Sequence, residues 1–473
     1  MEKTRRPSAL IIGSGLAGLE CALDLAVNGF SVEVVSPGRV GRDGATHRVH
    51  ALAPWVLVTA PWVRGDSPEL YLADLKRRGE GEERSGLAEV LAAEAHTAAR
   101  DLIEALDLEP LPGGPATLPG DELPRGLRCL ARGGHVLLAP LLKRCESAGV
   151  RLSGRSLVVG IAADGGRATG ALVLDRATRN VRTVNADAVV LACGGVGAVF
   201  PVTTVPRWVR GSGLALASAA GALLHRPEAT QALPVTATAQ LYFPTSAALL
   251  AGRIRINGRV VAPFRDVEAL TLAIGEALLE GATVALEPSE EDPASLPPSL
   301  RESAAFRVEK TVPLTLALHH GIGGVAIDTW GRTSLPGLYA CGEAAGGVQG
   351  RRRMMGTGLL EALIFARRCA RAMCRDVRGG GAPSAVEILA PPVPADAAVL
   401  EGRLDALMGA LVALRPGKTV ASALREIEGW PEEGAPGSDE KAALAGIRRL
   451  AAVTILKGEL GRDQARQSGG RGE

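Results

Sequence analysis

A glycine-rich turn near the start of the chain constrains the fold more than any other feature. The segment ALIIGSGLAGLECALDLAVNGFSVEVVS, residues 9–36, begins with a short apolar strand that ends at Ile12. The turn that follows fits G-x-G-x-x-G and opens a helix with apolar residues at helical spacing, and a second apolar strand spans residues 31–36. Two strands joined by a crossover helix run parallel, so the segment predicts a βαβ unit in an α/β fold.

Each glycine of this turn has a physical role in binding a dinucleotide. Gly13 permits the tight turn, Gly15 lets the backbone approach a pyrophosphate, and Gly18 lets the helix pack closely on the strand. Amides at the helix N-terminus and the helix dipole then hold the pyrophosphate. The acidic residue that usually binds the ribose hydroxyls is absent, because Ser36 ends the second strand. Ser36 with Arg39 would suit a 2′-phosphate, so this segment alone leaves NADP as an alternative.

The composition predicts a globular protein and excludes several classes of partner. The chain has 473 residues, of which 47% are hydrophobic and 22% charged, with a formal net charge of +2. This balance, with only 3% aromatic residues, gives no basis for nucleic-acid binding. The seven cysteines form no CxxC pair, no apolar run reaches the length of a membrane span, and the N-terminus lacks a signal peptide. We therefore expect a cytoplasmic protein without a membrane span.

Changes in sequence character predict an interrupted nucleotide-binding domain. Residues 182–200 predict a single strand that ends in a glycine turn, residues 67–150 are rich in helix, and Asn257-Gly258 predicts a hairpin. The expected domains are a Rossmann-like cofactor-binding domain, an inserted α+β capping domain, and a C-terminal helical segment with a disordered tail. They comprise residues 1–222 with 336–383, residues 223–335, and residues 384–473, respectively.

Two later segments, LACGGVGAVF (191–200) and LPGLYACGE (335–343), each predict a strand followed by a turn of small residues. Two such returns to the nucleotide-binding sheet indicate a cofactor larger than a nicotinamide nucleotide. Several segments over about residues 8–375 together resemble the flavoprotein family of fumarate reductase, succinate dehydrogenase and L-aspartate oxidase. The resemblance implies that the cofactor is FAD and that the first domain is an FAD-binding domain. The segments are GSGLAGL (13–19), GATH (44–47), DSPELYLADL (66–75), LACGG (191–195), HHGIGGVAIDTWGRTSLPGLYACGE (319–343) and QGRRRMMGTGLLE (349–361).

The resemblance implies a catalytic group around a substrate carboxylate. Arg353 falls on the arginine that clamps the carboxylate, His319 on a histidine that shares it, and Arg265 on the arginine that transfers the substrate proton. A guanidinium suits the clamp because its planar fork bonds both carboxylate oxygens. A dicarboxylate and the cofactor phosphates would then compensate the three consecutive arginines at 351–353. Further residues predicted to bind the substrate are Thr245, Ser246 and Gln349.

The resemblance also assigns residues to FAD. Glu343 is expected near the ribitol chain, and the helix that begins at Gly358 would direct its positive end at the flavin. Ala45 occupies the position of the histidine that bonds FAD covalently in succinate dehydrogenases, so we expect non-covalent FAD. The predicted cofactor-binding residues are Gly13, Ser14, Gly15, Ala17, Gly18, Ser36, Ala45, Thr46, Gly194, Gly195, Gly342, Glu343, Gly358 and Leu359.

Three segments depart from the family pattern. Leu233 replaces the histidine expected to hold the second substrate carboxylate, Ser246 and Leu249 replace a Glu-Arg proton relay, and Gln349 replaces a histidine. The departures argue against fumarate reduction, which needs proton delivery to carbon. Oxidation of an amino acid depends less on that relay. The glutamate that would hold the amino group has no clear counterpart, and Glu122 is a provisional candidate.

The leading prediction is an FAD-dependent oxidoreductase that resembles L-aspartate oxidase and forms iminoaspartate in NAD biosynthesis. Ser36-Pro37-Gly38 after the second strand favours this branch. One alternative is a fumarate reductase or succinate dehydrogenase flavoprotein subunit, which would need a partner subunit. Another is a flavin-binding subunit that has lost the ancestral chemistry. The expected ligand is a small dicarboxylate or an amino acid, and a homo-oligomer is a further possibility.

Overall fold

A five-stranded parallel sheet forms the centre of the molecule and contains the predicted βαβ unit. The computed structural model describes residues 5–48, 55–118, 121–131, 137–237, 253–261, 263–264, 266–287, 310–377, 385–412, 417–431 and 439–469. The strands of the central sheet are β1 (Ser8–Ile12), β2 (Ser31–Val35), β6 (Arg151–Ser153), β10 (Ala188–Leu191) and β18 (Leu338–Ala340). They lie in the order β18-β10-β1-β2-β6, and every neighbouring pair is parallel. The prediction of an α/β fold is confirmed.

Helices and smaller sheets cover the central sheet. The helices are α1 (Leu16–Val27), α2 (Ala45–Arg48), α3 (Pro68–Gly79), α4 (Leu87–Ala105), α5 (Ala139–Ser147), α6 (Ser212–Ala219) and α8 (Gly358–Asp376). The added strands are β3 (Val56–Thr59), β4 (Leu108–Pro110), β5 (Gly126–Ala131), β7 (Ser156–Asp164), β8 (Arg167–Asp175), β9 (Val181–Asn185) and β20 (Glu387–Leu389). Helix α8 packs against both α1 and α4, so a late element of the chain lies on the helix of the βαβ unit.

The prediction of one strand over residues 182–200 is wrong, because the chain changes sheets within it. Strand β9 pairs antiparallel with β8, whereas β10 pairs parallel with β1. The change occurs at Ala186 and Asp187, whose amides donate to the carbonyls of Thr169 and Ser8, respectively. The Asp187 carboxylate also accepts from the Ser8 amide at 2.7 Å. The aspartate thus fixes the start of both central strands.

The described part of the capping region contains an antiparallel sheet and one helix. Its elements are β12 (Thr230–Thr236), β13 (Arg253–Ile256), β14 (Arg259–Val260), β15 (Val284–Glu287), β16 (Val312–Gly321) and α7 (Val267–Leu279). The predicted hairpin is present between β13 and β14, where Asn257 and Gly258 both have positive φ, as the tight turn requires. Leu233 lies in the apolar core of this region with Leu270, Ile274 and Leu316. A leucine at this position is therefore a packing residue of the capping region.

A small sheet connects the capping region to the cofactor domain. Its strands are β11 (Leu224–His225), β17 (Gly324–Ala326) and β19 (Ala345–Gly346). Strand β17 is antiparallel to β11 and parallel to β19. A Cβ on Gly323 would collide with the backbone of Arg226, so this crossing needs glycine. The crossing fixes the end of β16 relative to the turn that follows β18.

Three C-terminal helices form a separate apolar cluster against the rest of the chain. They are α9 (Ala397–Val412), α10 (Gly417–Glu428) and α11 (Glu440–Gly469). The buried Arg448 of α11 donates to the Val199 carbonyl at 2.9 Å and pairs with Glu401 and Asp405 of α9. Helix α11 extends to Gly469, three residues into the segment 467–473 that was predicted as a disordered tail.

A buried charge cluster gives a test of fold stability. Arg125 is completely buried and donates to Asp66 at 2.7 and 2.8 Å, and it also pairs with Asp74. Replacing Asp66→Asn leaves the guanidinium with one carboxylate instead of two. We expect a loss of about 3–5 kcal/mol in the free energy of unfolding, because a buried charge loses one of its two partners.

Urea denaturation measures this loss, and an exposed ion pair provides the control. Lys457 pairs with Glu428 at 2.8 Å, and their side chains are 59% and 43% exposed. The substitution Lys457→Gln should cost less than about 1 kcal/mol, since solvent screens the pair. Equal losses in both variants would contradict the assigned role of the Arg125 cluster.

Candidate active site

A long groove follows the carboxyl ends of the central strands. Ile12 and Gly13 line it after β1, Ser36 after β2, Ala192 after β10 and Gly342 after β18. The groove has an empty volume of about 1440 Å³ and opens to solvent. The carboxyl ends of parallel strands are where ligands bind in open α/β sheets. The groove is therefore the candidate cofactor site.

The glycine turn leaves the backbone open at the N-terminus of α1. Gly13 has φ +115°, and a Cβ there would overlap the carbonyl oxygen of Ala192. A Cβ on Gly15 would lie 3.3 Å from the Thr46 hydroxyl, which accepts from the Leu16 amide at 3.3 Å. The first turn of α1 carries no acidic residue. A helix N-terminus without a competing carboxylate fits a pyrophosphate.

All predicted cofactor residues except Gly18 and Gly195 line this groove. The two exceptions are packing positions. A Cβ on Gly18 would overlap the Gly13 carbonyl, and a Cβ on Gly195 would overlap the Glu343 side chain. Ala45 lines the groove and has no side-chain atom that could form a covalent bond to FAD. The residues present therefore fit a dinucleotide held without a covalent link.

The NADP alternative depended on Ser36 and Arg39 together, and the structure does not place Arg39 in the groove lining. Ser36 lines the groove, but the Arg39 side chain is 73% exposed and pairs with Asp43 at 3.1 Å. The groove instead continues past the α1 N-terminus to the start of α8. If adenosine lies on the Ser36 side of the pyrophosphate, the redox-active half of the cofactor lies on the Gly358 side.

Arg353 lies at this far end, where the groove meets a second cavity. The residue is 8% exposed and lines both spaces. Its Nη1 donates to the Gln231 side chain at 3.4 Å, and its Nε has no hydrogen-bond partner among the described residues. Burial lowers the pKa of Arg353, while Glu361 and Glu343 oppose the shift. A buried guanidinium with an unused N–H is a strong candidate for binding an anion.

The three consecutive arginines have different environments. Arg351 pairs with Glu80 at 2.8 Å, and Arg352 pairs with Glu80 and Glu268 at 3.2 Å each. These two side chains are about two-fifths exposed, at 39% and 43%. Surface carboxylates therefore compensate Arg351 and Arg352, which line the second cavity only, whereas Arg353 lines both that cavity and the cofactor groove.

Two neighbouring histidines are held neutral beside Arg353. Burial, with a contribution from Arg353, lowers the pKa of His319 to about 3 and that of His320 well below its usual value. Nδ1 of His319 lies 2.9 Å from the Thr204 hydroxyl, and both residues line the groove. Nδ1 of His320 lies 3.5 Å from Glu343 Oε1. Neutral imidazoles can donate or accept a hydrogen bond here without adding charge.

Gln349 is buried but does not line either cavity. Its carbonyl oxygen accepts from the Met354 amide at 3.0 Å, and its amide nitrogen donates to the Thr357 hydroxyl at 3.1 Å and to Glu361. The side chain therefore closes the arginine loop onto the first turn of α8. The predicted role in substrate binding has no support from these contacts, which instead position Arg353.

The second cavity lies between the cofactor groove and the capping region. It has an empty volume of about 2360 Å³. Apolar wall residues include Leu233, Leu316 and Leu318, and Arg353 lies at its junction with the groove. Arg265, Thr245 and Ser246 lie outside the described residues, so their predicted roles stay predictions.

Sequence reasoning missed an acidic residue in this cavity. The Asp121 side chain is completely buried and accepts from Arg78 at 2.6 Å, while its Oδ2 has no hydrogen-bond partner among the described residues. Burial raises the pKa of Asp121. The provisional candidate Glu122 is exposed and does not line the cavity. The acidic pair at 121–122 was the available signal, but the sequence could not indicate which carboxylate is buried.

Comparisons with known proteins agree with this architecture. Residues 8–285 and 277–359 match the family described as FAD binding domain. The L-aspartate oxidase of Caulobacter vibrioides is 31% identical, over 89% of this chain and 86% of the relative. That of Halobacterium salinarum is 30% identical, over 78% and 76%. One chain of the fumarate reductase (CoM/CoB) of Methanothermobacter marburgensis is 28% identical, over 76% and 71%.

Solved structures share the fold over nearly the whole chain. An E. coli quinol fumarate reductase has a TM-score of 0.79 at 17% identity and covers 96% of this chain and 89% of its own. The Sdh1 complex of Mycobacterium smegmatis in the apo form has a TM-score of 0.77 at 22% identity, with coverages of 97% and 87%. None of the helices in the described part of the chain combines the length and apolar character needed to cross a bilayer.

The glycine turn gives a test of cofactor binding. The substitution Gly13→Ala places a methyl group against the Ala192 carbonyl in a left-handed backbone conformation. That conformation alone costs about 1–2 kcal/mol, so we expect at least a tenfold loss of bound FAD. Flavin absorbance per mole of purified protein measures it. The control is Gly402→Ala, where nothing lies within 4 Å of the added methyl group. Equal flavin content in both variants would contradict the assignment.

Proposed function

Because the chain belongs to the FAD-binding flavoprotein family that includes L-aspartate oxidases and fumarate reductase subunits, it is an FAD-dependent oxidoreductase, and we propose that it oxidises L-aspartate. The burial of Arg353 and its position in the site are the observation that supports the proposal. Its buried guanidinium lies at the junction of the cofactor groove and the second cavity, and its Nε has no hydrogen-bond partner in the part of the chain that the structure describes. A substrate carboxylate bound there would place its neighbouring carbon beside the cofactor.

The residues around the junction would bind and orient the substrate. Arg353 holds the carboxylate by charge-assisted hydrogen bonds, which are stronger than neutral ones. If the Thr204 hydroxyl donates to Nδ1 of His319, the imidazole proton lies on Nε2 and can be donated to the same carboxylate. FAD supplies the hydride acceptor. Arg265 remains the predicted proton-transfer residue.

Asp121 supports an amino acid as the substrate. It lines the cavity that Arg353 also lines, and its Oδ2 lacks a partner among the described residues. A substrate ammonium group would satisfy that oxygen and would favour the ionised carboxylate despite its burial. A dicarboxylate without an amino group would leave the oxygen unsatisfied. A cavity with a buried guanidinium and a buried carboxylate therefore favours a zwitterion over succinate or fumarate.

A flavoprotein subunit of the fumarate reductase type is the second candidate. The fumarate reductase relative and the shared fold favour it, and it would need a partner for electron transfer. Against it, Leu233 packs in the core of the capping region and offers no hydrogen bond to a second carboxylate. The cytoplasmic location and the oligomeric state stay predictions.

Anaerobic mixing of the FAD-loaded protein with L-aspartate tests the reaction. We expect the visible flavin absorbance to bleach within single turnovers. The substitution Arg353→Leu should slow bleaching by about tenfold to hundredfold, because hydrogen bonds to charged groups contribute about 1.5–3 kcal/mol.

Arg371→Leu is the matched control, since Arg371 is an exposed residue of the same helix that Arg353 precedes. It should bleach at the wild-type rate. If wild-type flavin stays oxidised with L-aspartate, the proposal is wrong. Reduction by succinate instead would support the second candidate.

Asp121→Asn tests the amino-group site. We expect the dissociation constant of L-aspartate to rise by about tenfold or more, because a charge-assisted hydrogen bond is lost. Binding of succinate, which has no amino group, should not change. Perturbation of the flavin spectrum during titration measures both ligands. The control is Glu122→Gln at the exposed neighbouring carboxylate. Equal weakening of both ligands in Asp121→Asn would contradict the role.

A further inference from the structure

Glu343 is a partly buried carboxyl group that lines the part of the groove assigned to the redox-active half of the cofactor. It follows strand β18 in a short 3₁₀ helix, Gly342–Ala344, and lines the groove with Gly358 and Leu359. Its Oε1 accepts from the Gly321 amide at 2.9 Å. The absence of a side chain at Gly195 makes room for it. Three separate backbone segments therefore fix the position of this carboxyl group.

His320 is a titratable neighbour of Glu343. Nδ1 of His320 lies 3.5 Å from Glu343 Oε1, and the imidazole lines the same groove. Because burial and Arg353 keep His320 neutral, the contact joins a neutral imidazole to the carboxyl group rather than forming an ion pair. An imidazole N–H directed at Glu343 would stabilise the ionised carboxylate.

The other charged groups around the pair come from two sides. Arg353 precedes α8 and favours the carboxylate, whereas Glu361 on α8 opposes it. His319 on β16 is neutral. The first turn of α1 and strand β17, which also pack against this turn, contain no titratable residue. Burial outweighs the favourable contacts and raises the pKa of Glu343 to about 7.

We propose that Glu343 and His320 form a proton-holding pair that couples the reduction potential of the bound FAD to pH near neutrality. Two electrons added to the cofactor from an electrode increase the negative charge beside the pair. Above neutral pH the Glu343 carboxylate then takes one proton from solvent, which forms one O–H bond, and no other bond of the pair breaks. Below neutral pH the carboxyl group already holds that proton.

The consequence is a measurable difference in pH dependence. In the pH range where Glu343 takes up a proton on reduction, each pH unit changes the equilibrium constant for reduction tenfold. This change adds to the one caused by the cofactor's own proton uptake. For a two-electron couple, a tenfold change in the equilibrium constant shifts the reduction potential by about 30 mV. The potential of the wild type relative to Glu343→Gln should therefore be constant below about pH 7 and fall by about 30 mV per unit above it.

Spectroelectrochemical titration of the FAD-loaded protein in a series of buffers tests the proposal. It needs no substrate, so its outcome is independent of whether L-aspartate is oxidised. The quantity to read is the wild-type potential minus the Glu343→Gln potential, and the bend is the change in its slope with pH. A bend near pH 7 in this difference supports the pair. A difference that does not change with pH overturns it.

His320→Phe tests the second member while retaining the carboxyl group. Without the imidazole N–H the ionised carboxylate is less stable, so the bend should move to higher pH. An unmoved bend would remove His320 from the pair. This variant also carries the test if Glu343→Gln does not retain FAD, because an unmoved bend would then overturn the proposal.

Asp24→Asn is the control for a buried carboxyl group outside the groove. Burial raises the pKa of Asp24 to about 6, and the residue lies in the second half of α1 away from the groove lining. Its substitution should leave the bend unchanged. Loss of the bend here would overturn the assignment to Glu343, since it would show a long-range charge effect.

Discussion

The burial of one positive charge, that of Arg353, determines the electrostatics of the whole site. A guanidinium keeps its proton even where burial lowers its pKa. Two partly buried carboxyl groups, Glu361 and Glu343, lie close enough to oppose that shift. The same positive charge helps to keep His319 and His320 neutral. An anion from outside the chain would add to this compensation, which is why the junction between groove and cavity is suited to a carboxylate.

A hydrogen-bonded loop keeps that charge in place. Gln349 spans from the Met354 amide to Thr357, and Thr59 of β3 donates to the Met355 carbonyl at 2.7 Å. The Thr59 carbonyl in turn accepts from Tyr71 at 2.9 Å. Helix α3, strand β3 and helix α8 are thus linked through one loop. A rigid loop lowers the entropic cost of presenting a long arginine side chain to a ligand.

The glycine turn and its βαβ unit were predictable because the responsible interactions are local. Strand β1 occupies Ser8–Ile12 as expected. The first glycine of the turn, Gly13, has a positive φ, which glycine adopts easily and other residues do not. The prediction from sequence was wrong where contacts between segments distant in the chain determine the local structure. Residues 182–200 form two strands because Asp187 pairs with Ser8 of β1. The role of Gln349 in substrate binding stays a prediction, and its side chain contacts Met354, Thr357 and Glu361 in the structure.

The amino-acid sequence by itself determined the fold class, since a βαβ unit depends on residue type and short-range spacing, and its resemblance to a flavoprotein family determined the cofactor. The same resemblance predicted Arg353 as the arginine that binds a carboxylate. Only the tertiary structure decided which neighbouring side chains are buried. Arg353 differs from Arg351 and Arg352, and Asp121 from Glu122, only in the surroundings that packing provides. Burial depends on segments remote in the chain, and burial changes the free energy of a charge far more than its position in the sequence does.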